Sequence, residues 1–99
     1  MSDTNRWAEA LAACRVQIDE LDRRLIAILN ERAAVVTEIG RIKKDAQLAI
    51  YEPKREDQVF ENVTSHNTGP LPHDAAKRIF ERIIDEMRKV QRDRMEEKK

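Results

Sequence analysis

Residues 11–43 read LAACRVQIDELDRRLIAILNERAAVVTEIGRIK. Apolar side chains recur there at Leu11, Cys14, Ile18, Leu21, Leu25, Ile28, Val35, Ile39 and Ile42, mostly in steps of three and four. Such steps draw an apolar seam along one side of a long helix that packs against other helices. Position 32 interrupts it: between Ile28 and Val35 the pattern asks for an apolar residue, and the sequence supplies Arg32. A guanidinium keeps its proton at any relevant pH. It needs an anion, water or a polar cavity, and spacing alone leaves open whether Arg32 pairs with a glutamate or grips an anionic ligand.

Outward from the seam, Ser2, Asp3 and Thr4 are all acceptable N-caps, with Asp3 or Thr4 favoured. The helix is expected to run to about Lys44. Gly40 lies inside it at a cost of roughly 1 kcal/mol against alanine, and either marks close packing or is simply tolerated. Some forty residues of helix make a rod of about 60 Å. Either other helices of the chain fold back along it or a second copy of the chain does. Residues 45–51 lose the periodicity and read as a loop. Pro53, preceded by Glu52, suits the first turn of a second helix that carries Val59, Phe60 and Val63 on one face and ends before Asn67. Residues 68–72, Thr-Gly-Pro-Leu-Pro, are the clearest break. A third helix starts between residues 72 and 74 and presents Ala76, Ile79, Phe80, Ile83, Ile84, Met87 and Val90. The fold class is all-α: long, short and medium helices in one domain over residues 1–99, with a charged tail from about 92 to 99 expected to fray.

Composition agrees with long helices. Of 99 residues, 38% are charged and only 4% aromatic, with two glycines and three prolines. Nineteen basic against nineteen acidic residues give a net charge of zero, which argues against nucleic acid or a membrane surface as the partner. Cys14, the one cysteine, sits on the seam and reads as a small buried hydrophobe. It permits no disulfide within the chain, so a reducing cytoplasm is the natural setting. No signal peptide and no membrane span are expected.

The cations and their neighbours are the candidates for chemistry. Arg32 and Lys43 are eleven residues apart. That is nearly three turns, so both point to one face about 16 Å apart along the axis, and could grip a small anion between them. Arg15 lies on nearly the same side but 28 residues from Lys43, about 42 Å of straight helix. It could share a small ligand with Lys43 only across an antiparallel pair of chains. Glu52 and Glu56 stand one turn apart with Arg55 beside them, offering acceptors for a hydroxyl next to a receiver for a carboxylate. Gln91 places an amide one turn beyond Met87 on an otherwise apolar face. By composition alone, Arg15 and Lys43 read equally as solvated rim charges, and Glu52, Arg55 and Glu56 as a charged first turn. His66 and His73 flank the break and are expected to be exposed. No cluster suggests a metal, and no glycine-rich loop a nucleotide.

The ordered set Arg15-x-x-Ile18-Asp19-x-Leu21-Asp22-x-x-Leu25, Glu31-Arg32, Ile39-Gly40-x-x-Lys43, Glu52-x-x-Arg55-Glu56, Ile83-Ile84 and Gln91 closely resembles the all-α class of chorismate mutases over roughly residues 8–92. The resemblance implies an intertwined homodimer of three-helix chains that rearranges chorismate, a small dianion, to prephenate without a cofactor. It implies that Arg32 clamps the side-chain carboxylate of the substrate with Arg55 nearby, and that Arg15 of the other chain clamps another carboxylate. Lys43 and Gln91 would donate to the ether oxygen, and Glu52 and Glu56 would hold the ring hydroxyl. Two departures stand out. Many members carry Asp where this chain has Glu52, so that contact shifts. One well-known type carries Ser where Met87 stands, so a polar contact there is lost.

Three rival functions keep the same fold. One is elimination of pyruvate from isochorismate at a similar site. Another is a non-catalytic helical module that regulates or docks an enzyme of the shikimate pathway. The third is a weak mutase boosted by such a partner. Arg32 in the seam speaks against a pure scaffold, which has no use for it.

Overall fold

The computed structural model describes residues 3–97 of the chain, with side chains for residues 6–93. Its elements are three helices, α1 (Asp3–Asp45), α2 (Pro53–His66) and α3 (His73–Glu97), and no strand occurs among the described residues. Asp3 and Thr4 already belong to α1, so they do not cap it; the remaining candidate cap, Ser2, lies outside the described residues.

The end of α1 is set by backbone bonds. Gln47 takes a left-handed conformation, with φ at 59°. The Leu48 amide then donates to the Lys43 carbonyl at 2.7 Å, and the Gln47 amide to the Lys44 carbonyl at 3.2 Å. This nested pair of bonds is a Schellman closure, which usually puts glycine where Gln47 stands. Glu52 occupies the cap position of α2, yet its side chain makes no capping bond; its carboxylate is engaged elsewhere. Pro53 fills the first turn, as its fixed φ and missing N–H favour. After α2, the Asn67 side-chain amide donates to the Leu71 carbonyl at 2.7 Å, and its oxygen accepts the Gly69 amide at 3.1 Å, which shapes the turn. α3 runs as helix past Arg92 to Glu97.

The chain divides between Arg32 and Ala33 into two compact units. The described residues of the first are all helical, and Leu11, Ile18, Leu21, Leu25 and Ile28 there are exposed. Cys14 is exposed as well. One chain by itself does not bury the thiol, because a lone helical segment has nothing of its own to bury a seam against. In the second unit α2 packs on α3. Val59, Phe60, Val63, Phe80, Ile83, Met87 and Val90 are half-buried there, Ala76 and Ile84 are buried, and Ile79 is exposed. His66 and His73 are exposed, as expected.

Candidate functional site

Of the candidate residues, Arg15 and Arg32 belong to the first unit, and Lys43, Glu52, Arg55, Glu56, Met87 and Gln91 to the second. In the first, Arg15 is exposed and Arg32 half-buried.

In the second unit two polar side chains are buried, Lys43 at 7% exposure and Gln91 at 6%. Lys43 is therefore no solvated rim charge. Its ammonium donates to the Ile50 carbonyl at 2.7 Å and pairs with Glu52 Oε1 at 2.7 Å. Both partners lie beyond the Schellman closure, which starts at the Lys43 carbonyl and turns the chain back toward that residue's own side chain. A buried ammonium is tolerated only with such partners. They take two of its three hydrogens. Glu52 immediately precedes α2, and the carboxylate that fails to cap the helix neutralises Lys43 instead.

Gln91 lies against α1. Its Nε2 donates to the Val36 carbonyl at 3.2 Å, and its side-chain stem runs beside Gly40. Val36, Gly40 and Lys43 follow one another at helical spacing of four and three, so they share one stripe of α1. Lys43 stands about 4.5 Å further along the axis than Gly40. The Gln91 amide is thus bonded to the stripe of α1 that also carries Lys43, about 10.5 Å from that residue along the axis.

Glu56 and Glu52 do not act as a pair here. The Glu56 Oε2 carboxylate oxygen accepts from Arg88 Nη2, a partner on α3. That hydrogen bond holds the Arg88 guanidinium above its ordinary range. Arg88 also approaches Asp85 at 3.6 Å and stacks over the Tyr51 ring at 5.1 Å from its centroid. Sequence reasoning missed Arg88, because its partner is 32 residues away and nothing local marks it. The one available signal was its position one residue after Met87 and three before Gln91. Arg55 is exposed and donates to Gln58 Oε1 at 3.3 Å. Met87 is half-buried. Among the described residues no group of histidine, cysteine or carboxylate side chains is arranged to hold a metal ion, and no helix is long and apolar enough to cross a membrane.

The arrangement gives two buried hydrogen-bond donors, Lys43 on α1 and Gln91 on α3, each with a partner in the chain. The chain is 35% identical over 82 residues to the bifunctional chorismate mutase/prephenate dehydratase of Stutzerimonas stutzeri, covering 78% of this chain and 22% of that protein. The chain thus spans about a fifth of the length of that relative. Among solved structures, form II of the chorismate mutase from Thermus thermophilus superposes with a TM-score of 0.82 at 30% identity, over 84% of this chain and 94% of that one. The chorismate mutase of Helicobacter pylori in complex with prephenate superposes with a TM-score of 0.84 at 26% identity, over 90% and 97%. The sequence pattern of chorismate mutase type II matches residues 14–92, a stretch that contains every candidate residue from Arg15 to Gln91, and the chain belongs to that family.

Proposed function

We propose that the chain is a chorismate mutase, converting chorismate to prephenate by a Claisen rearrangement on the route to phenylalanine and tyrosine. One observation carries the proposal. A lysine and a glutamine are buried in the second unit as deeply as Ala76 and Ile84, the buried hydrophobic residues among those described. Both are paired within the chain, yet an apolar pair of similar size would often pack there as well or better. Two donors kept in such a place serve a ligand.

The rearrangement is unimolecular, so catalysis needs a compact conformer of the substrate and stabilisation of charge, not a nucleophile. Negative charge develops on the ether oxygen as its bond to carbon breaks. The third hydrogen of the Lys43 ammonium and the second hydrogen of the Gln91 amide meet that charge. The Val36 carbonyl holds the amide by its other hydrogen and so fixes its plane. Glu52 uses one oxygen on Lys43, and Glu56 one on Arg88; the remaining oxygens accept the ring hydroxyl. Arg32, with Arg55, takes the side-chain carboxylate, the partner subunit's Arg15 takes the other, and Met87 lines the site.

The proposal includes a homodimer with shared sites. Leu11, Ile18, Leu21, Leu25, Ile28 and Val35 are exposed in a single chain, and a second copy would cover them. The Helicobacter pylori neighbour with prephenate bound supports the assignment of product. The bifunctional relatives, which join a mutase to a prephenate dehydratase, support a partner enzyme of the shikimate pathway. The cytoplasm, where a single thiol stays reduced, is the proposed setting. The test is direct: purified protein is incubated with chorismate and prephenate is followed. Steady formation of prephenate is expected. Unchanged chorismate would refute the proposal, and pyruvate released in a parallel incubation with isochorismate would then favour the rival elimination.

A further inference from the structure

Gly40 is buried inside α1, five residues before its last residue Asp45, where glycine costs roughly 1 kcal/mol against alanine. Its backbone is not in the left-handed region, so the helix itself does not require glycine. The three heavy atoms nearest to a Cβ built there all belong to one residue of α3. A Cβ placed on Gly40 would lie 2.8 Å from Gln91 Cγ, 3.8 Å from Gln91 Cδ and 3.7 Å from the Gln91 carbonyl oxygen. The nearest atom is not the free tip of a flexible side chain. Cγ is fixed by the first torsion of a buried residue whose amide is bonded to Val36 at 3.2 Å. To clear a Cβ at Gly40, Gln91 must turn about that torsion, which carries the amide off the Val36 carbonyl. The Gln91 backbone oxygen would sit at an ordinary van der Waals distance of 3.7 Å, so the clash falls on the side chain and not on the α3 backbone.

We infer that Gly40 is a positioning residue: by having no side chain it leaves the channel in which the Gln91 stem runs, and so sets where the Gln91 amide points. The inference rests on the proposal that this amide donates to the reacting oxygen. It makes the glycine a requirement of the site and not of the helix, since on α1 alone alanine would be the better residue.

The test compares wild type, Gly40→Ala, Gln91→Ala and the double variant, each as the full chain. kcat and KM are measured for chorismate, helicity by circular dichroism, and the Gln91 side-chain amide by its proton–nitrogen resonance. Losing one preorganised donor lowers kcat by about 100-fold or more. Gly40→Ala is expected to lower kcat by at least about tenfold with little change in KM, to displace the Gln91 amide resonance, and to cost nothing further in the Gln91→Ala background, as non-additivity demands of residues acting through one group. The same factor lost in both backgrounds overturns the inference, and so does an unmoved resonance. Should Gly40→Ala fail to fold, the double variant decides: recovered helicity places the clash on Gln91, and continued unfolding refutes it. If Gln91→Ala alone keeps full activity, the catalytic role of Gln91 falls, while the resonance still decides whether Gly40 positions it.

Discussion

Gln91 is a buried amide whose two hydrogens have different duties in the proposed site, one on the Val36 carbonyl and one for the substrate. An amide donates at every pH, whereas a carboxyl donates only while protonated. Gln91→Glu is therefore expected to keep activity at low pH and lose it as pH rises through the carboxyl's pKa. Burial pushes that pKa above the ordinary value of about 4.3, because the charged form is the one penalised. A kcat profile that falls from acid to neutral checks this; a flat profile with retained activity removes Gln91 from the site. Gln91 by itself says little in the sequence, an amide one turn beyond Met87 after an apolar face, and only the family resemblance singles it out. Lys43 was only half legible. Periodicity says toward which side a lysine points, but not that a returning loop will cover it, and the cover here comes from Ile50 and Glu52. The roles of Glu52 and Glu56 were blurred for a related reason. Their spacing suggests one shared face, while their partners sit on different helices, Lys43 on α1 and Arg88 on α3.

Helix ends are legible wherever proline or an amide side chain marks them, as at Pro53 and Asn67, and less so where the backbone alone sets them. The closure of α1 is an example. Gln47 holds a left-handed conformation at φ 59° that a side chain with a Cβ disfavours. No glycine advertises the turn, so the sequence shows a loop there but not its geometry. Gln47→Gly removes the Cβ penalty against some loss of chain entropy, and is expected to stabilise the protein by roughly 0.5–1 kcal/mol. A thermal midpoint a few degrees higher checks it, and a lower one would mean that the Gln47 side chain contributes more than the strain costs. Between elements, Arg88 ties α3 to α2 through Glu56 and to the preceding loop through Tyr51. Both charged side chains are about three-quarters covered, at 26% and 23% exposure. Arg88→Ala leaves Glu56 without that partner and is expected to cost about 1–2 kcal/mol, between the values for exposed ion pairs and for charge-assisted hydrogen bonds. Urea denaturation measures it. An unchanged midpoint would show that Glu56 finds another donor or water at no cost.

At the scale of the molecule, the apolar seam that decides the fold in the sequence is what a single chain leaves uncovered. A seam predicts a helix that needs a partner; it does not say whether the partner is in the same chain. The exposed residues from Leu11 to Val35 favour a second copy, and light scattering after gel filtration should give twice the chain mass. The shared site can be tested more sharply. Arg15 and Lys43 are 28 residues apart in sequence along one helix, so if both touch one small substrate, the Arg15 of a site is supplied by the other chain. Arg15→Ala and Arg32→Ala homodimers are each expected to be nearly inactive, since losing a charged clamp on a buried anion costs on the order of 2–5 kcal/mol. The two variants are then unfolded together and refolded, so that mixed dimers form. In a mixed dimer, one site draws Arg32 from the Arg15→Ala chain and Arg15 from the Arg32→Ala chain, and is complete. The other site lacks both. Activity is expected to return in proportion to the mixed dimers, toward half of the wild-type rate per mixed dimer. If each site were built from one chain, every site in the mixture would carry one lesion and no activity would return. Mass spectrometry of the intact assemblies separates that outcome from a failure to exchange chains. Mixed dimers without activity rule out the shared site while leaving the roles of Lys43 and Gln91 standing.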